Sequence, residues 1–146
     1  MKGVTIMEKT YFTFIKKSGE DYLVYVPDME VYTEGRSIFD AIAMARDAIG
    51  LKGVEMEDDG IALPDTSDKE AAIAKAKAEA DADFDFSDGL LTLVDIDFTA
   101  YRNKLRNKAV KKNCTIPYWL NKKAEEMDIN FSKVLQEALI VKINGN

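Results

Sequence analysis

The sequence predicts an α+β domain with an antiparallel sheet and a helix, followed by a small second domain of one strand and two helices. Runs at 10–17, 22–27 and 31–35 alternate apolar with polar residues, as half-buried strands do. Residues 109–146 follow the order strand, proline, helix, tight turn, helix. Residues 1–99 hold 10 Lys and Arg against 22 Asp and Glu, a formal charge of −12, whereas residues 100–146 hold 10 against 4, a formal charge of +6. This asymmetry suggests two different partners, one of them nucleic acid.

The first three strands predict an antiparallel meander. TYFTFIKK and YLVYVP flank the turn sequence SGED, which is typical of a β-hairpin, and VYTEG follows as a third strand. Pro27 ends the second strand, where its missing N–H costs nothing in the ladder. A helix from about 37 to 51 comes next, because Ser37 and Asp40 have capping-box spacing and the apolar residues recur at helical spacing.

The middle of the chain predicts a loop, a helix, a strand and a connector. Residues 52–68 are acidic and broken by glycine and proline, so they predict a loop, with a brief extension of the preceding helix as the alternative at its start. Ser67 and Glu70 form a second capping box before an alanine-rich, largely exposed helix, although no role is evident for 68–88 as a whole. GLLTLVDIDF at 89–98 predicts a strand that rejoins the sheet. The domain boundaries are therefore 1–98, a basic connector at 99–108, and 109–146.

Composition excludes several classes of function. The chain has 146 residues with one cysteine and no histidine, so it lacks the commonest general base and the commonest zinc ligand. Its apolar runs are too short for a membrane span and its start does not resemble a secretory signal, which favours a cytoplasmic protein. The acidic run EMEDDG lacks the spacing of a calcium loop, so we interpret it as solvated and expect no metal or cofactor.

The stretch AVKKNCTIP at 109–117 predicts a strand with two distinct faces. Lys111, Asn113 and Thr115 fall on one face, and Val110, Cys114 and Ile116 fall on the other, where Cys114 serves as a small buried hydrophobe. Pro117 suits a helix start, and Asn130 is a good N-cap for the last helix. One strand and two short helices cannot bury this apolar surface alone, so we expect the strand to pair with the same strand of a second copy.

Such a two-stranded ribbon fits the major groove of DNA. Asn113 would bond adenine, Lys111 would bond guanine, and Thr115 would meet thymine or a phosphate. The amides at the start of the last helix, from Asn130 to Ser132, would bind a phosphate. An ordinary polar strand face is the alternative for the three strand residues. For the basic connector, a solvated linker and an arm that contacts phosphate both stay open; its residues are Arg102, Lys104, Arg106 and Lys108.

Two stretches carry a family resemblance. VKKNCTIPYWLNKKAEEMDINFSKVLQEAL resembles a ribbon-helix-helix domain, and within it KKNCTIPYWLNKKAEE followed by INFSKVLQEAL is similar to the C-terminal half of HicB-type antitoxins. YLVYVPDMEVYTEGRSIFDAIAMARDAIGL resembles the HicB-like domain, which has a partial ribonuclease-H-like fold. The resemblance implies an antitoxin whose acidic domain blocks a small basic mRNA-interferase toxin, HicA, and whose C-terminal domain dimerises and represses the operon. The turn MDIN departs from the family pattern, because Asp128 stands where glycine is common and must adopt a left-handed conformation.

The toxin-facing residues are expected at an edge of the sheet. A plausible sheet edge suggests Tyr25, Met29, Tyr32 and the loop around Asp58. Tyr118 and Trp119 belong to the core or rim of the dimer. One alternative function is a stand-alone ribbon-helix-helix repressor whose N-terminal domain senses a ligand or drives oligomerisation. Another is an interaction protein that never touches DNA.

The ribonuclease-H-like resemblance also raises a nuclease alternative. That chemistry needs several carboxylates converging on two magnesium ions. The candidates are Asp21, Asp28, Glu30 and Asp47, but nothing in their spacing brings them together. We therefore expect a protein that is not an enzyme.

Overall fold

The computed structural model describes residues 7–145; residue 146 and residues 1–6, on which the expectation about a secretory signal falls, lie outside them. The chain divides into two compact units, an N-terminal unit up to Lys108 and a C-terminal unit from Ala109. The N-terminal unit contains the strands β1 (Glu8–Ser18), β2 (Asp21–Val26), β3 (Val31–Gly35) and β4 (Leu90–Asp97), and the helices α1 (Ile38–Asp58), α2 (Lys69–Ala78) and α3 (Phe98–Arg106). The C-terminal unit contains the helices α4 (Tyr118–Glu126) and α5 (Phe131–Ile143).

The four strands form one antiparallel sheet in the order β3-β2-β1-β4. This confirms the predicted meander and the predicted return of a fourth strand to the sheet, where it lies beside the first. Strand alternation gives the sheet two apolar faces, because Tyr11 and Ile15 of β1 point to one side while Phe14 points to the other. The first side packs on α1 through a stripe of small and branched residues at helical spacing, namely Ala41, Ala45 and Ile49.

Helix α1 is longer than predicted. It runs to Asp58 instead of ending near 51, and Gly53 and Val54 are buried within it. Glycine lowers helix propensity, which is why the sequence favoured a loop here. The packing explains the difference, since a Cβ on Gly50 would lie 2.6 Å from the ring of Tyr101 and one on Gly53 would overlap the ring of Phe98. The two glycines let α3 lie close against α1.

The predicted connector is mostly a helix of the N-terminal unit. Phe98–Arg106 form α3, whose Asp97 cap accepts a hydrogen bond from the backbone N–H of Ala100 at 3.0 Å. Phe98 is buried in the core, and the Tyr101 hydroxyl donates to Asp47 at 2.9 Å. The segment looked poor in apolar residues, but these two aromatic rings are enough to hold it against α1.

Helix α2 covers the second face of the sheet. Its buried residues Ala72 and Ala76 pack with Phe14 and Tyr25, so the segment 68–88 completes the core beneath a largely exposed helix. The predicted cap is displaced by one residue, because Asp68 caps the helix by accepting from Ala71 N–H at 2.7 Å. Ser67 instead donates its backbone N–H and its hydroxyl to Asp28, at 2.9 and 2.7 Å.

The C-terminal unit has two helices joined by a tight turn. Asn130 caps α5 as predicted, accepting from Lys133 N–H at 3.1 Å. Asp128 lies in the left-handed region with φ 53°, which confirms the expectation for the MDIN turn. Residues 109–116 form neither helix nor strand in the described chain, and they have no neighbouring strand of their own unit to pair with.

Candidate partner-binding surfaces

The described C-terminal unit has no buried residue. Its apolar side chains are largely exposed, with Leu135 at 40% and Trp119 at 68% exposure. An open groove of about 450 Å³ lies among α4, α5 and the preceding segment, and its lining includes Cys114, Ile116 and Leu135. Cys114 is exposed in the single chain, because nothing in the described chain covers this groove, and its expected burial requires a second copy.

The predicted DNA-contacting residues are all exposed. The segment before α4 contains Lys111, Asn113 and Thr115. These three residues do not line the open groove of the C-terminal unit, whereas Cys114 and Ile116 do. Asn130 and Ser132 lie at the start of α5. The amides of the first helical turn have no intrahelical acceptor, and the Asn130 side chain takes only the amide of Lys133.

The four residues suggested for toxin contact do not share one surface. Tyr25 and Met29 are core residues, only 1% and 2% exposed, because they lie beneath α2 and α1 respectively. They therefore offer no side-chain surface to a partner in this structure. Tyr32 is 58% exposed on the edge strand β3. Asp58 is not in a loop but ends α1, where it accepts a hydrogen bond from Arg102 at 2.9 Å.

The four carboxylates of the nuclease alternative make separate local contacts. Asp28 accepts from Ser67, Glu30 pairs with Lys75 at 3.0 Å, and Asp47 accepts from Tyr101. Asp21 begins β2 at the hairpin turn. Residues 7–145 contain no group of three or more acidic or cysteine side chains placed to hold a metal ion.

The acidic C-terminal turn of α1 and the basic helix α3 interact with each other. Arg102 donates to Asp58 and also contacts Glu57 at 3.4 Å, and the hydrogen bond that it donates to Asp58 raises the pKa of the Arg102 guanidinium. Tyr101 is held beside Asp47, and its pKa rises to about 12 through burial and that hydrogen bond. Part of the acidic run EMEDDG therefore pairs with part of the predicted connector.

A family model described as the HicB-like antitoxin of bacterial toxin–antitoxin systems matches residues 11–138. The chain belongs to the HicB-like antitoxin family. One chain of a toxin–antitoxin complex from Streptococcus pneumoniae is 26% identical to this HicB-like chain, with a TM-score of 0.53 over 94% of this chain and 99% of the other. The crystal structure of the Burkholderia pseudomallei antitoxin HicB is 23% identical, with a TM-score of 0.47 over 89% and 95% of the two chains. No curated protein matches the HicB-like chain significantly in sequence.

Sequence reasoning missed two features of this HicB-like chain. Counted by compact unit, residues 1–108 hold 14 Lys and Arg against 22 Asp and Glu, a formal charge of −8, and residues 109–146 hold 6 against 4, a formal charge of +2. Most of the basic excess therefore belongs to the N-terminal unit. The helical spacing of Phe98, Tyr101 and Leu105 is the signal that could have revealed α3.

None of the helices in the described chain has the length and apolar character of a bilayer span.

Proposed function

We propose that this chain is a non-enzymatic cytoplasmic antitoxin that also represses its own operon. Its N-terminal unit binds and neutralises a small basic toxin of the HicA type, and its C-terminal unit binds operator DNA as a dimer. The observation that carries this proposal is the match to the HicB-like antitoxin family across residues 11–138, which spans both compact units. The excess of carboxylates on the N-terminal unit complements a basic partner.

The exposed apolar face of the C-terminal unit supports dimerisation. Side chains such as Leu135 and Ile116 lie around one open groove, and an apolar surface of this kind is stable in water when a partner covers it. A second copy would cover the groove with its own groove in a two-fold arrangement. The two segments 109–116 would then supply each other with the strand hydrogen bonds that a single chain lacks.

The DNA-binding face follows from that pairing. With Cys114 and Ile116 turned to the shared core, alternation turns Lys111, Asn113 and Thr115 of both copies to the outside. A ribbon bearing these side chains fits the major groove, and the free amides near Ser132 would bind a flanking phosphate. The ribbon would read base edges while the helix start fixes the register.

Three measurements test the proposal. The purified full chain is mixed with the small protein encoded in the same operon, and separately with the operon's promoter DNA, while growth is followed on co-expression. We expect rescue of growth, a stable complex and a shifted promoter fragment. Replacing Asn113 and Thr115 by alanine should abolish the shift and leave rescue intact, whereas Lys122→Ala on α4 serves as the control. Promoter binding without rescue or complex would favour the stand-alone repressor, and rescue without any promoter binding would favour the pure interaction protein.

A further inference from the structure

An aromatic cluster reaches the surface at the β3 edge of the second sheet face. The Tyr32 ring stacks on the buried Tyr25 ring with centroids 4.7 Å apart and planes 15° apart. Phe86 belongs to the 3-10 helix Phe86–Asp88. Its ring centroid lies 5.4 Å from that of Tyr25 and 6.1 Å from that of Tyr32. One face of the Tyr32 ring is thus covered and fixed in place, while 58% of the residue remains exposed. A rigid, half-exposed aromatic ring is a common anchor in protein interfaces.

Carboxylates lie on the same side of the sheet as the stacked Tyr25 and Tyr32 rings. Glu34 lies two residues along β3 on the same face as Tyr32, and Glu79 lies at the end of α2. Burial chiefly raises the pKa of the Tyr25 hydroxyl, with contributions from Tyr32 and from the charges of Glu79 and Glu30, so these carboxylates lie near the stacked pair. Glu30 is paired with Lys75, but in the described chain neither Glu34 nor Glu79 makes an ion pair.

The same face already contains a cation on a ring beside a carboxylate. The Lys16 ammonium lies 4.8 Å from the centre of the Phe84 ring, and it bonds Asp88 at 2.7 Å. It also donates to the Asp85 carbonyl at 2.8 Å. Tyr32, Glu34 and Glu79 supply an aromatic ring and carboxylates, as Phe84 and Asp88 do for Lys16. No cation of the described residues lies over the Tyr32 ring.

We propose that Tyr32, Glu34 and Glu79 form a docking site for an arginine side chain of the partner protein. A planar guanidinium stacks on an aromatic face and donates to carboxylates at its edges, which a compact ammonium does less well. Nucleic acid is disfavoured, since its phosphates would face an N-terminal unit of formal charge −8. That the partner is the toxin rests on the proposed function; the preference for arginine rests on this cluster alone.

The test is isothermal titration of the full chain with the purified small protein encoded in the same operon. Tyr32→Ala should weaken Kd about thirty-fold, as a central interface anchor does, whereas Tyr32→Phe should stay within about three-fold because the ring face remains. Glu34→Gln should weaken Kd about five-fold at low salt and less at 0.5 M salt. Phe39→Ala and Glu20→Gln are matched controls, since both residues are exposed elsewhere on the N-terminal unit. Circular dichroism checks that each variant is folded.

Several outcomes would overturn the docking site. Wild-type affinity in Tyr32→Ala or in Glu34→Gln would do so, as would an equal loss in Phe39→Ala. A change in oligomeric state on Tyr32→Ala, measured by sedimentation, would assign the site to a second copy instead. If the wild-type chain does not bind the co-encoded protein, the proposed function fails, and the site is decided by nuclear magnetic resonance with N-acetyl-arginine methylamide. Shifts of the Tyr32 ring protons larger than those caused by the lysine analogue support the site, and equal or absent shifts refute it.

Discussion

At the residue scale, the backbone conformation of Asp128 affects the stability of the turn between the last two helices. Its φ of 53° places a side-chain-bearing residue where glycine is favoured, directly between two helices. We predict that Asp128→Gly stabilises the C-terminal unit by about 1 kcal/mol, because it relieves the left-handed strain and removes a negative charge from a helix C-terminus. Thermal unfolding followed by circular dichroism measures the shift. Asp128→Val, which makes the same turn harder to form, should lower the midpoint; equal midpoints for the two variants would argue against strain at this position.

Gly53 is a second residue whose size is dictated by its neighbour. We predict that Gly53→Ala destabilises the N-terminal unit by about 1–3 kcal/mol, because the added methyl group overlaps the Phe98 ring and this outweighs the gain in helix propensity. Urea unfolding provides the measurement. The double variant with Phe98→Leu should lose less than the sum of the single changes. Strict additivity would show that the two residues do not meet.

Local sequence signals predicted most individual caps and turns but not all of their partners. Ser37, Asn130 and Asp128 were predicted correctly because their roles depend on residues within four positions along the chain. The assignment of Ser67 as a cap was wrong, because its hydroxyl is bonded to Asp28, which lies far away in sequence. A long-range acceptor competes with a local one, and only the tertiary fold shows which acceptor is in reach.

At the scale of elements, side-chain hydrogen bonds and an ion pair hold the segment between α1 and α2 against β1. Tyr11 donates its hydroxyl to the Pro64 carbonyl at 2.7 Å, and Lys9 pairs with Asp65 at 3.0 Å. Thr66 donates to the Thr10 carbonyl in the same region. Burial first, then the charges of Asp28 and Asp65, raises the pKa of the Tyr11 hydroxyl to about 12. The predicted loop at 52–68 is therefore in part an ordered crossing from one sheet face to the other.

We predict that Tyr11→Phe lowers the free energy of unfolding by about 1 kcal/mol at pH 8 through loss of that hydrogen bond. Below pH 10, the usual tyrosine pKa, the hydroxyl is neutral in the folded and unfolded chains, so its contribution is complete. As the pH rises through about 12 the contribution is lost, because the unfolded chain ionises first. Urea unfolding at pH 8 and 11 should therefore show a smaller difference between variant and wild type at the higher pH. A constant difference would contradict the raised pKa, and Tyr118→Phe is the control.

Helix α3 gives a prediction about the basic segment. Because the Arg102 guanidinium is already held by Asp58 and Glu57, we expect Arg102→Ala to leave the salt dependence of operator binding unchanged. Its loss should cost the N-terminal unit little stability, as for other partly exposed ion pairs. Lys111→Ala, on the proposed DNA-facing strand, should reduce the slope of log affinity against log salt by about 1. An equal reduction by Arg102→Ala would show that α3 contacts phosphate.

At the scale of the whole molecule, the two units should differ in how concentration affects their stability. The N-terminal unit has its own buried core, whereas the described C-terminal unit has none. We predict that the melting midpoint of the C-terminal unit in the full chain rises with protein concentration, as mass action requires of a dimer. Differential scanning calorimetry over a hundred-fold concentration range measures this. Leu135→Glu, inside the groove, should remove the dependence, and Lys122→Glu outside it should not; a midpoint independent of concentration in the wild type would argue against the dimer.

Local pattern was enough to predict the α+β class of the N-terminal unit and most of its elements. Strand alternation predicted the sheet, and Pro117 and the Asn130 cap predicted the starts of the two C-terminal helices, because each signal lies within one element. The strand predicted before Pro117 is not formed in the described chain. The family resemblance read from those stretches is confirmed by the match to residues 11–138. The C-terminal end of α1 and the helical nature of α3 were missed, since glycine propensity and charge are weak local signals that aromatic packing overrides.

Only the tertiary structure decided which residues of the N-terminal unit reach the surface. Tyr25 and Tyr32 are opposite each other on paired strands and point to the same face, so the sequence treats them alike. The strand order puts Tyr25 on an inner strand and Tyr32 on the edge strand, while α2 and Phe86 cover the inner ring. Tyr25 is therefore a core residue, whereas Tyr32 remains a candidate contact for a partner protein. Burial depends on contacts between residues far apart in the chain, and periodicity along a single strand does not contain that information.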